Sequence, residues 1–128
     1  MISLPHPVRV FLHTPPTDLR KGFDALCGLV TSDFSQDPTS GHLFLFVNRR
    51  RDRIKILYWD RDGLAIWYKR LESGSFQIPA ACTKAASIEM TSTQLALILS
   101  GIDLRSARQR KRHQRPTPAG EKAINAPL

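Results

Sequence analysis

Arginine carries most of the chemical potential in this chain, and it comes in runs. Residues 105–115 hold six cations in eleven positions (Arg105, Arg108, Arg110, Lys111, Arg112 and Arg115) and no acid. Each can neutralise a phosphate and release a counterion, which predicts salt-sensitive binding to a polyanion with little sequence preference. The alternative is a solvated tail that only aids solubility. A second run, Asn48-Arg49-Arg50-Arg51-Asp52-Arg53, has Lys55 just beyond it and lies between two strand-like segments. A basic β-ribbon can lie along DNA phosphates or enter the major groove. A solvated turn with local Asp–Arg pairing is the competing reading, and such pairing contributes little. A third group is Arg20-Lys21, with Asp18 before it and Asp24 after. Placed in the first turn of a helix, these cations oppose its dipole. They would then either help hold a phosphate there or pair with the two aspartates.

Other chemistries find less support. Asp60 and Asp62 flank Arg61 before Gly63. Two-metal catalysis needs carboxylates converging on a pair of ions, whereas Asp-Arg-Asp-Gly is the composition of a β-turn. A metal-dependent nuclease is therefore the weakest functional alternative. His6, His13, His42 and His113 show no metal-ligand spacing and stand beside no nucleophile motif. Cys27 and Cys82 are far apart and form no C-x-x-C pair, so two free thiols are expected rather than a zinc site. There is no glycine-rich phosphate loop. The residues give no positive argument for an enzyme, a metal or a cofactor.

The composition is that of a soluble globular protein: 128 residues, 41% hydrophobic and 23% charged. The N-terminus has no signal-peptide pattern and no apolar run approaches membrane-spanning length, so a cytoplasmic location and no membrane partner are expected. The formal net charge of +8 is unevenly spread: residues 105–128 hold seven Lys/Arg and one acid, or 7 − 1 = +6, leaving +2 for the rest. Nucleic acid is the polyanion this asymmetry favours. We expect a compact domain over 1–104 and a basic, disordered tail over 105–128.

Hydrophobic periodicity gives the elements that must position these residues. Val8 to Leu12 alternates as a strand, stopped by Pro15-Pro16. Leu19, Phe23, Leu26 and Val30 step by four, three and four along one face of a helix capped by Thr17 or Asp18 and fraying near Asp33. Three strands follow, His42–Val47, Arg53–Trp59 and Leu64–Leu71, joined by short polar turns. Phe76–Ile78 could add another short strand, and Ile88–Met90 a further one. Thr91 or Ser92 caps a short helix from Thr93 to Ser100, with Gly101 placed to end it. The expected fold is α+β: an antiparallel meander of about five strands, one main helix packed on it and a short C-terminal helix. Leu19, Phe23, Leu26, Val30, Ile54, Ile56, Leu64 and Ile66 should form the core.

Both faces of the meander carry large apolar groups. If the main helix covers one, the other either lies under the C-terminal helix or N-terminal strand, or exposes a protein interface drawn from Phe44, Phe46, Trp59 and Trp67.

Four stretches also resemble a known family: Asp18-Leu19-Arg20-Lys21-Gly22-Phe23-Asp24-Ala25-Leu26, Ser40-Gly41-His42-Leu43-Phe44-Leu45-Phe46, Arg53-Ile54-Lys55-Ile56-Leu57-Tyr58-Trp59-Asp60, and the run from Asp62 through Trp67 and Gly74 to Phe76. Together they look like TnpB of the insertion-sequence-66 group of bacterial mobile elements, the product of the second open reading frame, unrelated to the RNA-guided nuclease of the same name. The likeness spans roughly the first 100 residues in order. It implies a non-catalytic accessory role in transposition, beside a separate, larger protein that carries the transposase's acidic catalytic residues. It brings no catalytic residues to transfer, and the tail falls outside it. DNA and the transposase are thus the expected partners. An adaptor that docks the transposase without touching DNA is the alternative.

Overall fold

The computed structural model describes residues 7–79 and 84–100. Its elements are β1 (Val10–His13), α1 (Phe23–Asp33), β2 (Leu43–Val47), β3 (Arg53–Asp60), β4 (Gly63–Arg70), β5 (Ser87–Met90) and α2 (Ser92–Ser100). The five strands form one sheet in the order β4-β3-β2-β1-β5. The fold is α+β as expected, but the sheet is mixed and only part of it is a meander. β2, β3 and β4 run antiparallel in sequence, and β5 pairs antiparallel with β1. β1 and β2 are parallel, Phe11 lying beside Phe44. Parallel neighbours need a crossover, which is usually helical, and α1 supplies it. The stretch Phe76–Ile78 is not a strand; Phe76 instead drops into the core.

Alternation along the strands divides the core in two. Phe11, Phe44, Phe46 and Leu57 face Leu26 and Val30 of α1, together with Leu19 and Phe34. On the other face Val10, Leu12, Leu45, Val47, Ile54 and Ile56 pack with Leu95 and Ile98 of α2 and with Phe76. The sheet is therefore covered on both sides, with α2 over the second face.

Two expectations about α1 need correction. The helix begins at Phe23, with Gly22 at its N-cap and no side-chain cap. Asp18 closes a separate turn instead: its carbonyl accepts the Lys21 N–H at 3.2 Å and its carboxylate the Arg20 N–H at 3.0 Å, as Asp commonly does in turns. Arg20 and Lys21 thus lie outside the helix. Phe23, expected in the core, is 47% exposed. It opens the helix, and Leu19 fills the apolar cluster from the preceding turn.

At the other end, Ser35 takes a left-handed φ of 53° and the Gln36 N–H donates to the Val30 carbonyl. α1 ends at Asp33 as its sequence suggested. α2 opens on a reciprocal cap. The Thr91 hydroxyl accepts the Gln94 N–H at 3.0 Å, and the Gln94 amide oxygen accepts the Thr91 N–H at 2.9 Å. Gly101 lies outside the described residues.

Candidate nucleic-acid interface

The β2–β3 connection presents its arginines on a fixed frame. Asn48 organises it: the Asn48 side-chain oxygen accepts the Asp52 and Arg53 N–H groups, each at 3.1 Å, and its amide donates to the Asp52 carboxylate at 2.7 Å. Arg51 adopts a left-handed φ of 60°, and its N–H closes a turn on the Asn48 carbonyl. The segment after β4 braces the loop from behind, with the Leu71 and Phe76 N–H groups donating to the carbonyls of Asp52 and Arg51. Asp52 is thus engaged by Asn48 rather than by arginine. Among the described residues, Arg49, Arg50, Arg51 and Arg53 form no ion pair, and all four are exposed.

Opposite this loop stands the segment between β1 and α1, and a surface cleft of 590 Å³ opens between them. Pro16, Thr17, Asp18, Leu19 and Arg20 line one side, Asn48, Arg49 and Arg50 the other, and Arg53 and Tyr68 complete it. Among the described residues, four guanidinium groups therefore line one cleft against a single carboxylate. That carboxylate is itself committed: Arg20 Nε and Nη2 bind both oxygens of Asp18 at 2.7–3.1 Å. Hydrogen bonds from Arg20 hold Asp18 far below the usual carboxylate range, and Arg20 is pushed up in return. The pairing of Arg20 with Asp18 is the local alternative weighed from the sequence.

Lys55 stands next to the cleft, beside Tyr68. The Lys55 Nζ donates to the Lys21 carbonyl at 3.0 Å and stands 5.0 Å from the centre of the Tyr68 ring. Arg53 reaches the Tyr68 hydroxyl at 3.5 Å. Arg51 turns to a neighbouring cavity of 260 Å³, shared with Arg49, His13 and Ile78. Two runs distant in sequence thus meet at one cleft, Arg20 from the first and Arg49, Arg50 and Arg53 from the second. Tyr68 and Asn48 were missed. Tyr68 alternates as any strand residue does, and its place in the site follows only from its register opposite Lys55. The tail cations Arg105, Arg108, Arg110, Lys111, Arg112 and Arg115 lie outside the described residues.

The cleft wall is pinned from inside. His13 is buried, with Nε2 2.8 Å from the Asp33 carboxylate and Nδ1 2.9 Å from the Thr17 hydroxyl. Because a carboxylate only accepts, Nε2–H donates to Asp33, and in the neutral ring Nδ1 accepts from Thr17. The ring stacks on Phe34 at 5.6 Å. The bond from His13 holds Asp33 below the ordinary carboxylate range, with Ser32 assisting. The Thr17 N–H donates to the Val47 carbonyl at 2.9 Å, which fixes the wall to the sheet next to the arginine loop.

The apolar set read from the sequence as one protein interface does not form. Phe44 and Phe46 are fully buried beneath α1. Trp59 pairs with Leu64, and Trp67 with Ile56, so the two tryptophans lie on opposite faces of the sheet. Trp67 is 40% exposed; Trp59 is half-buried and its indole N–H donates to the Arg61 carbonyl.

Asp60 and Asp62 sit at the tight β3–β4 turn, where Arg61 has a φ of 57°. Among the described residues no group of three His, Cys, Asp or Glu side chains is placed to hold a metal. Cys27 is a free, half-buried thiol that burial, and then Asp24, pushes up from its ordinary pKa; Cys82 lies outside the described residues. No described helix is long and apolar enough to cross a membrane.

The family model described as IS66 Orf2 like protein matches residues 8–109. The chain belongs to that family. The likeness to the insertion-sequence-66 TnpB proteins read from the sequence is thereby borne out, and the family places the chain among insertion-sequence-associated accessory proteins. Two relatives come from Sinorhizobium fredii (strain NBRC 101917 / NGR234). The uncharacterized protein y4jC is 35% identical over 117 residues, covering 91% of this chain and 97% of the relative. The uncharacterized protein y4hO is 35% identical over 113 residues, covering 88% and 94%. No solved structure matches the chain.

Proposed function

We propose that this IS66 Orf2-like protein is a non-catalytic transposition factor that contacts DNA through the arginine cleft and works beside the separate transposase of its element. The observation that carries the reading is the convergence of unpaired cations. Arg49, Arg50 and Arg53 border one cleft with Arg20, and no described acid neutralises the first three. Like charges lining one cleft repel, and a phosphate backbone relieves that repulsion while releasing its own counterions. Lys21 and Lys55 extend the positive border. The cations of the tail, Arg105 to Arg115, add affinity without specifying position. The bases are not read by this arrangement, so sequence preference is small.

The test is DNA binding by the full chain at about 150 mM salt, with two sets of substitutions. Charge reversal of Arg49, Arg50 and Arg53 to Glu should remove most of the binding while the circular dichroism spectrum is retained. Neutralising Arg108, Arg110, Lys111 and Arg112 to Gln should weaken binding and leave its dependence on the cleft intact. Unchanged binding after charge reversal in the cleft would overturn the reading.

A further inference from the structure

Phosphate contacts alone leave one feature of the cleft unused. Tyr68 lies on β4, the edge strand of the sheet among the described residues. It lines the cleft among the arginines and is 48% exposed. Its surroundings fix it there as an open platform: Lys55, its cross-strand partner, holds its Nζ 5.0 Å from the ring centre, and Arg53 Nη1 approaches the hydroxyl at 3.5 Å. The Lys55 ammonium is tethered to the Lys21 carbonyl, and about half of Tyr68 stays open to solvent beside it.

The size of the cleft decides what can use that ring. At 590 Å³ it falls in the range of pockets that enclose small organic groups, roughly 300–1,000 Å³. A duplex can lay phosphates on the rim, but its bases are stacked on each other and offer no face to an aromatic ring inside a cleft. An unpaired nucleotide has both a free base face and a flexible backbone. Aromatic rings set in a basic groove are the means by which single strands are held without sequence preference.

We infer that the cleft is a site for an unpaired DNA strand: one base stacks on the exposed ring of Tyr68, and the flanking phosphates engage Arg49, Arg50 and Arg53. This rests on the DNA-contact reading above and narrows it from DNA in general to single-stranded DNA. The Asp18 carboxylate does not oppose the strand, because Arg20 already satisfies both of its oxygens. The edge position of β4 lets the strand run on past the sheet.

The test compares an oligothymidylate with a thymidine–adenine duplex of equal length, by fluorescence anisotropy on the full chain at matched salt. The single strand should bind more tightly. Tyr68→Ala should weaken single-strand binding roughly tenfold, within the range of one base–aromatic stack, and clearly more than it weakens duplex binding; Tyr68→Phe should retain the single-strand affinity. Photocrosslinking of a 5-iodouracil-substituted strand to the unaltered protein gives a readout independent of any variant's folding, and the adduct should map to Tyr68. Equal affinity for the two DNAs, indifference to Tyr68→Ala, or adducts mapping elsewhere would overturn the inference. If duplex binding still depends on the cleft arginines, the general DNA reading survives that failure. If neither DNA binds, both fall.

Discussion

The salt dependence of binding gives a sharp measure of the cleft, because the structure says how many cations are free to meet phosphate. Arg49, Arg50 and Arg53 are exposed and carry no ion pair among the described residues. Replacing all three with Gln removes three contacts at most. For a single strand each contact contributes about 0.7 to the slope of log K against log salt, so the slope should become shallower by about 2. Between about 50 and 200 mM salt, the unaltered protein should then lose roughly 16-fold more affinity than the variant. Anisotropy titrations at four or five salt concentrations measure this directly. Asp18 and Arg20 supply an internal check. Asp18→Asn frees Arg20 and should tighten binding and steepen the slope, whereas Arg20→Gln frees a carboxylate in the cleft and should do the reverse. Two parallel salt lines, offset but equal in slope, would refute the reasoning: the arginines would then affect binding without meeting phosphates.

Two predictions concern the frame. Phe46→Ala empties a fully buried position beside Phe34 and His13 and should cost about 3–5 kcal/mol in urea denaturation; Trp67→Ala, at a 40% exposed edge position, should cost much less, and the reverse order would contradict the assignment of faces. Acid stability should depend on Asp33, whose folded pKa is depressed by His13. Its contribution is present above the unfolded carboxylate value of about 3.9 and is lost as pH falls through the lower folded value. Asp33→Asn should therefore flatten the acid limb of the stability curve below about pH 4, and an unchanged acid limb would mean that the His13 bond does not shift Asp33.

Much of the fold was legible in the sequence, because periodicity reports which residues share a face. Phe44 and Phe46 separate from Leu45 and Val47 in the structure as they do in the alternation. Periodicity does not report which strands are neighbours. β1 could have joined the meander edge-on, and only the α1 crossover makes it parallel to β2. The same gap misled the interface reading: Phe44 and Phe46 look exposed only if α1 is assigned to the wrong face. The helix start was misplaced because Asp18 is a good N-cap by type, yet it spends that capacity on its own turn and on Arg20. Of the site, the arginines were visible as charge, but Tyr68 was not, since its membership depends on pairing opposite Lys55.

The cleft's geometry also explains why its charge is available. Three described arginines are matched by acids: Arg9 with Glu89, Arg70 with Glu72 and, at the cleft itself, Arg20 with Asp18. In the β2–β3 loop the nearest acid, Asp52, is taken by Asn48, and the loop carbonyls are tied to the segment after β4. The facing wall is anchored by Thr17 to Val47 and by the His13–Asp33 pair to α1. The backbone of neither wall has to be ordered on binding, so the ordering cost at the encounter with a ligand falls on the exposed arginine side chains. The proposed contribution of the tail cations is one of charge. Affinity should therefore divide between a part sensitive to Tyr68 and the loop and a part that follows tail charge, which neutralising each set of residues in turn separates.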